Sequence, residues 1–245
     1  MNYDNYVVSF MPGSRGRLFA NLIYKLANND PIPISFTEHN SAHNHIDTWD
    51  MKYAPNLNKI YTDPHKTSVF FTHAYPNLKY IPPNTGTVFI NVSSSKIDEV
   101  CLNAVIKNVI PKIEFLRDGG TLDETQNAFM KPYERFLPDN YVDILTDADK
   151  LRDFLHSIQS SFIPKNKNYY RNFIDNTSIK DTEIFFIDYE KMFGQENEKY
   201  IVLKRLTDWM QVDYTSEIHN LYEQYDLEKF KIFDKYCPWF NYSME

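Results

Sequence analysis

The sequence predicts an α/β fold of three layers, in which a parallel β-sheet is flanked by helices and covered by a helical and irregular cap. Short apolar runs rich in β-branched and aromatic residues alternate with stretches whose apolar residues recur at helical spacing. Such alternation favours parallel strands joined by crossover helices. The length of 245 residues suits a single domain, residues 1–245, with cap elements near 37–63 and 117–180.

The composition limits the classes of function. A net charge of -7 argues against general nucleic-acid binding, since proteins of that class present a basic face. The two cysteines, Cys101 and Cys237, lie too far apart for a disulfide framework or a zinc motif. The chain has no charged-then-apolar leader and no run of about 18 apolar residues. We therefore expect a cytoplasmic protein with reduced thiols that binds neither nucleic acid nor membrane.

The first strand, turn and helix form the unit around which the chain is arranged. Tyr6–Met11 predicts a buried strand, Pro12–Gly16 a tight turn, and the apolar spacing from Leu18 onward a helix. A helix start offers unpaired N–H groups and the positive end of the helix dipole, which attract anions. Arg15 and Arg17 lie at this start, and guanidinium groups bind phosphate or sulfate oxygens bidentately. The alternative is an ordinary strand-to-helix turn whose arginines face solvent.

The next part of the chain contains five of the seven histidines. Ile32–Phe36 predicts a second strand and Thr67–His73 a third, which places His73 at a carboxyl strand end, where ligands of open α/β sheets bind. His73 is therefore a candidate general base, and a histidine that only caps the backbone fits the pattern equally well. The polar segment 37–63 between the two strands carries His39, His43 and His45. We expect this segment to be a solvated or substrate-facing loop rather than a metal site, because no cysteine lies near it.

A second strand-to-helix junction follows. Gly86–Val92 predicts a fourth strand and Lys96–Phe115 a long helix. Ser93, Ser94 and Ser95 connect them, and Ser95 is the predicted N-cap. The hydroxyl and N–H groups of this junction are able to bind a phosphate. The alternative is a polar turn that only caps the helix.

The remaining elements complete the sheet and its cap. Residues 117–138 predict a loop and a short helix, and residues 151–162 have helical spacing. Residues 183–193 predict a last buried strand that leads into a turn, residues 199–210 an amphipathic helix, and residues 215–230 a final helix.

Three motifs resemble the sulfotransferase family. Pro12–Phe19 is similar to the family's 5′-phosphosulfate-binding loop, in the variant Pro-Gly-Ser/Thr-Gly-Gly-Ser/Asn followed by an apolar pair, with Arg15 and Arg17 in place of small residues. Thr72–Leu78 resembles the family's Thr-His-x-Pro stretch. Tyr189–Glu190, after an apolar strand, resembles its Tyr-Glu-x-Leu motif. The order and spacing of these motifs also match the family.

The resemblance implies a P-loop-type fold and a donor substrate, 3′-phosphoadenosine 5′-phosphosulfate (PAPS), with no metal. The family's 3′-phosphate arginine position falls on Ser93 and its serine position on Cys101. The implied donor-binding residues are Pro12, Gly13, Ser14, Arg15, Gly16, Arg17, Leu18, Ser93, Ser94, Ser95 and Cys101. The implied catalytic residues are His73, Arg15 and Arg17, with the arginines opposing charge on the leaving oxygen and His73 taking the acceptor's proton.

These patterns predict transfer of a sulfuryl group to a hydroxyl or amine of a small-molecule or glycan acceptor. Two alternatives stay open. A P-loop kinase-like phosphoryl transferase requires a loop lysine and a hydroxyl that binds Mg²⁺, where this chain has Arg17 and Leu18. A non-catalytic module that binds a nucleotide or a protein partner is the other. The Cys237–Phe240 tail packs on its own domain or on a second subunit, which leaves a homo-oligomer open.

Overall fold

A computed structural model of the chain describes residues 3–11, 14–30, 67–72, 84–135, 144, 147–157, 174, 184–193, 196–224 and 236. The strands are β1 (Asn5–Ser9), β2 (Ser68–Thr72), β3 (Thr85–Asn91) and β4 (Ile184–Asp188). The helices are α1 (Gly16–Ala27), α2 (Ile97–Asn108), α3 (Ile110–Arg117), α4 (Glu124–Glu134), α5 (Ala148–Ser157), α6 (Tyr189–Phe193) and α7 (Glu196–Met210), and residues 216–224 are also helical.

The strands form one parallel sheet in the order β2-β1-β3-β4. Ser9 of β1 lies opposite Thr72 of β2 and Phe89 of β3, and Asn91 of β3 lies opposite Asp188 of β4. Every residue of β1 and β3 is buried, as expected for central strands covered on both faces. The predicted α/β class, a parallel sheet flanked by helices, is therefore confirmed.

The strand order creates a switch point between β1 and β3. After β1 the chain passes through α1 to β2 on one side of β1, whereas after β3 it passes through α2 and later elements to β4 on the other side. In open parallel sheets, ligands bind in the crevice outside the carboxyl ends of the strands at such a point. The loops that follow β1 and β3, which are the two predicted phosphate sites, therefore start beside this crevice.

Apolar side chains form two core clusters. The first core cluster joins the strands to α1, α6, α7 and the 216–224 helix, and the second joins α2, α3, α4 and α5. Side chains of α2 belong to both clusters, so this helix connects the sheet to the helices that follow it. In the described ranges no helix has both the length and the apolar character needed to cross a membrane.

The sheet packs closely around a glycine in β3. A Cβ on Gly86 would lie 2.7 Å from the Tyr3 ring and 2.8 Å from the Trp209 ring. Tyr3 also packs edge-on against Tyr6, with ring centres 5.7 Å apart. Glycine thus lets two aromatic side chains approach the backbone of a central strand.

The end of α1 is tied directly to the start of β2. Asn28 is the C-cap of α1, and its side-chain amide donates to the Thr67 carbonyl over 3.0 Å. The N–H of Thr67 in turn donates to Asn28 Oδ1 over 2.8 Å. This pair of bonds fixes where β2 enters the sheet, and with it the position of the strand's carboxyl end at Thr72.

The predicted helix Lys96–Phe115 requires two corrections. It is two helices, α2 and α3, which meet at Val109, and Pro111 lies in the first turn of α3. Proline lacks the N–H that would continue a helix, so the break falls just before it. The predicted N-cap at Ser95 is also wrong, because Ser94–Lys96 forms a 3-10 turn and Lys96 is the N-cap of α2. The predicted strand Ile32–Phe36 lies outside the described residues.

The structure describes only part of the two predicted cap segments, 37–63 and 117–180. The segment 37–63 lies outside the described residues. Within 117–180, α4 and α5 pack in the second core cluster. Helix α4 begins with a capping box, in which Asp123 accepts from the Gln126 N–H over 2.7 Å and Gln126 accepts from the Asp123 N–H over 3.0 Å. That these elements form a cap over a ligand stays a prediction.

Candidate anion-binding site

The loop after β1 brings an arginine to the start of α1 in an unusual backbone conformation. Arg15 is the N-cap of α1 with φ 62 and ψ 23, in the left-handed region. Residues other than glycine adopt this region at a cost of about 1–3 kcal/mol, and such strain concentrates at functional sites. The Arg15 carbonyl accepts from the Leu18 N–H over 3.0 Å, which closes the first turn. The chain therefore keeps an arginine where its backbone favours glycine, and the sulfotransferase motif has glycine at this position.

Two neighbours of Arg15 fix the loop. The Ser14 hydroxyl and the Ser14 N–H both donate to the Met11 carbonyl, over 2.7 Å and 3.0 Å. A Cβ on Gly16 would lie 1.9 Å from Phe10 Cδ1, so only glycine lets the Phe10 ring cover the helix start. Ser14 thus holds the turn, and its contact with an anion stays a prediction.

The Arg15 side chain is buried against an aromatic ring. The residue is 4% exposed, and its guanidinium carbon lies 4.0 Å from the ring centre of Phe193, at the end of α6. A cation removed from water in this way attracts an anion more strongly than a hydrated one. The sequence predicted an anion beside Arg15, but it did not predict the contact between Arg15 and the Phe193 ring. A contact between Arg15 and an anion stays a prediction.

The β3–α2 junction presents polar groups nearer the surface. The Ser93 and Ser95 hydroxyl oxygens are 2.8 Å apart, and Ser94 and Ser95 are exposed. Lys96 Nζ lies 3.5 Å from the carboxylate of the buried Glu99. Lys96 was not among the predicted site residues, although a lysine directly after three serines at a helix start is a pattern that indicates an anion site. The structure therefore supplies a cation at this junction.

Glu99 also joins this junction to α6. Its Oε1 atom accepts from the Tyr189 hydroxyl over 2.9 Å, and both residues are buried. Tyr189 is the first residue of α6 and belongs to the motif that resembles Tyr-Glu-x-Leu. Helix α6 therefore contacts the β3–α2 junction at one end and Arg15 at the other.

Cys101 lies in surroundings that disfavour negative charge. Burial raises the pKa of its thiol to about 12, and the nearby Asp98 carboxylate adds to the shift. The prediction that Cys101 contacts a 3′-phosphate stays a prediction.

The predicted site residues thus fall into three groups. The structure collects Ser14, Arg15, Gly16 and Leu18 at the start of α1, with Leu18 buried in the first core cluster. It collects Ser93, Ser94 and Ser95 at the end of β3. Outside the described residues or side chains lie Pro12, Gly13, His39, His43, His45, His73 and the side chain of Arg17.

The likeness of this chain to known proteins lies among solved structures. No protein-family model matches the sequence, and no curated protein matches it. Among solved structures, the chain is similar to the mouse sulfotransferase SULT7A1, determined as a crystal structure complexed with PAP. The two are 16% identical, the match covers 94% of this chain and 67% of that chain, and the TM-score is 0.38.

Proposed function

We propose that this chain is a sulfotransferase-like enzyme, which transfers a sulfuryl group from PAPS to a hydroxyl or amine of a small-molecule or glycan acceptor. The observation that carries the proposal is the start of α1, where the buried Arg15 guanidinium lies at the helix N-cap beside the switch point. The motifs around Pro12–Phe19 and Tyr189–Glu190 supply the choice of donor.

The residues at the first junction fit the phosphosulfate end of such a donor. A helix start and a desolvated guanidinium are features that anion sites use. In the proposed reaction, the acceptor atom attacks sulfur and the bond from sulfur to the bridging oxygen breaks. Arg15 would oppose the negative charge that grows on this oxygen. His73, which directly follows β2 in the sequence, is the proposed acceptor of the proton.

The residues at the second junction fit a phosphate in part. Lys96 and the hydroxyls of Ser93 and Ser95 offer a charge and donors at the surface. Cys101 offers neither a cation nor a hydroxyl to a phosphate, and burial keeps its thiol neutral. We therefore assign the 3′-phosphate to the 93–96 turn rather than to the second turn of α2.

The phosphoryl-transfer alternative is disfavoured by one side chain. In P-loop phosphoryl transferases, a loop hydroxyl binds Mg²⁺ at the position where this chain has Leu18. Leu18 is 2% exposed and packs in the first core cluster, so the position is apolar.

The experiment is calorimetry with the donor product, 3′-phosphoadenosine 5′-phosphate. We expect saturable binding without Mg²⁺, and retention of binding in Arg152→Ala, which removes an exposed arginine from α5. No binding at millimolar ligand by the folded protein would overturn the proposal. Saturable binding combined with no transfer from PAPS to any hydroxyl or amine acceptor would favour the non-catalytic alternative. A Mg²⁺-dependent thermal shift with ATP, absent with the donor product, would favour the kinase.

A further inference from the structure

We propose that Phe193 is a positioning residue for Arg15, and that helix α6 acts on donor binding through this contact. The inference rests on the proposed function, because it assigns Phe193 a role in binding the donor's phosphosulfate end. Phe193 itself is not a catalytic residue, since it acts through the guanidinium.

The contact geometry is that of a cation–π pair. The guanidinium carbon of Arg15 lies 4.0 Å from the Phe193 ring centre, and Arg15 is 4% exposed. Cation–π pairs are strongest when water is excluded from them. The ring covers one face of the guanidinium, so it limits both the hydration and the rotation of the cation.

The Phe193 ring is itself held by three aromatic neighbours. Its centre lies 4.7 Å from the Tyr189 ring, 6.0 Å from the Tyr222 ring and 6.4 Å from the Phe19 ring. The Tyr222 and Phe193 rings are stacked at 20°, whereas the Phe19 ring meets Phe193 edge-on at 67°. Offset-stacked and edge-on arrangements are the favourable ones for aromatic pairs. A ring packed on several sides fixes the position of the cation that lies on it.

Helix α6 is also tied at both ends by hydrogen bonds. At its start, the Tyr189 hydroxyl donates to Glu99 Oε1 over 2.9 Å. Near its end, the Tyr222 hydroxyl donates to the Met192 carbonyl, one of the carbonyls that a helix end leaves without an intrahelical partner. A five-residue helix has little stability of its own, so these bonds are what keep Phe193 in place.

The test compares Phe193→Leu with Phe186→Leu. Both changes remove an aromatic ring from a half-buried position, but Phe186 stacks on Phe89 in the sheet, with ring centres 5.5 Å apart. We expect Phe193→Leu to weaken binding of 3′-phosphoadenosine 5′-phosphate about 3- to 10-fold, as a partly desolvated cation–π pair predicts. Phe186→Leu should leave the affinity unchanged, and Phe193→Tyr, which keeps the ring, should retain most of it.

Two further measurements separate positioning from general destabilisation. In a double-mutant cycle, Phe193→Leu should have no added effect on affinity once Arg15 is Ala. In NMR spectra of the free protein, the Arg15 Nε–H signal should be shifted by the ring current of Phe193 and should move toward its ordinary position in Phe193→Leu.

The outcomes distinguish this inference from the proposed function. If the natural chain binds the nucleotide but Phe193→Leu binds as Phe186→Leu does, the inference is overturned and the proposed function stands. An effect of Phe193→Leu that persists in Arg15→Ala also overturns it. If the natural chain does not bind the nucleotide although the Arg15 signal is ring-shifted, the proposed function fails, and the role of Phe193 in donor binding fails with it.

Discussion

The two strand-to-helix junctions at the switch point are built in opposite ways. At the β1–α1 junction Arg15 is 4% exposed and its backbone is in the left-handed region. The Phe10 ring fills the space that a Cβ on Gly16 would need. At the β3–α2 junction the serine hydroxyls face solvent and bond to each other, and Lys96 is paired with Glu99. Burial and strain fix the first arrangement before any ligand binds, whereas water is able to replace the polar contacts of the second. We therefore expect the first junction to dominate anion affinity.

The sharpest test of this asymmetry uses two substitutions at one residue, Arg15→Ala and Arg15→Gly. Both should weaken binding of 3′-phosphoadenosine 5′-phosphate about 10- to 100-fold in calorimetry, because a hydrogen bond to a charged group is worth about 1.5–3 kcal/mol. Their free energies of unfolding in urea should differ. Glycine adopts φ 62 without strain and alanine does not, so Arg15→Gly should be the more stable by about 1 kcal/mol.

Arg152→Ala is the control for removal of an arginine, since Arg152 is exposed and paired with Asp149 on the surface. Equal stability of Arg15→Ala and Arg15→Gly would show that the left-handed conformation imposes no strain. Affinity unchanged in both would remove Arg15 from the site.

Local sequence patterns predicted most of the fold, but one helix boundary was missed. Strands β1 and β3 are rich in apolar, aromatic and β-branched residues, and α1 repeats its apolar residues at helical spacing, so local pattern was sufficient to predict them. The break at Val109 was missed because the apolar spacing continues across it, although Pro111 marked the boundary. The helix predicted within 117–138 is α4, and its start is marked in the sequence by the Asp123 and Gln126 capping box.

The site was harder to predict than the fold, for a physical reason. The position of Arg15 at a helix start is set by its neighbours in sequence, and it was predicted. Its burial depends on Phe193, which reaches it only through the pairing of β4 with β3 and the packing of α6. The hydrogen bond between Tyr189 and Glu99 is likewise a contact between distant parts of the chain. Contacts of this kind leave no periodic signal in a single sequence.

Gly16→Ala is the next largest expected change, and it tests whether close packing defines the first junction. The added methyl group would lie 1.9 Å from Phe10 Cδ1, and the ring, 3% exposed, has no free space to enter. We expect the free energy of unfolding to fall by about 1–3 kcal/mol, the usual cost of overpacking a core. Urea titration measures it.

The matched control is Gly16→Ala made in a protein that already carries Phe10→Leu. If the collision with the ring is the cause, Gly16→Ala should cost less when Phe10 is already Leu, and the double-mutant cycle gives the coupling. An equal cost in both backgrounds would contradict the steric explanation.

At the second junction, a smaller effect is expected from Ser93→Ala combined with Ser95→Ala. The two hydroxyls bond to each other in partly or fully exposed positions, so their loss exchanges one solvated arrangement for another. We expect the affinity for 3′-phosphoadenosine 5′-phosphate to fall less than about 5-fold by calorimetry, because water at these exposed positions is able to replace the lost hydroxyl contacts with the phosphate. A loss as large as that of Arg15→Ala would reverse the proposed ranking of the junctions.

The smallest effect concerns Cys101 and appears only in alkali. Burial raises the pKa of the folded-state thiol from 9.0 to about 12, so the unfolded chain loses its proton first as the pH rises. The thiol therefore contributes stability that is present below pH 9.0 and is lost progressively toward about pH 12, by at most about 1.4 kcal/mol per pH unit.

Urea titrations of a Cys237→Ser background, with and without Cys101→Ser, isolate this contribution. From about pH 8 to about pH 10, the free energy of unfolding should fall more steeply in the protein that keeps Cys101. The hydroxyl of serine does not ionise in this range, and the tyrosines, which do, are common to both proteins. Parallel pH profiles would mean that the folded protein accepts a thiolate at Cys101 as readily as water does. Negative charge on Cys101 would then be tolerated in the second turn of α2.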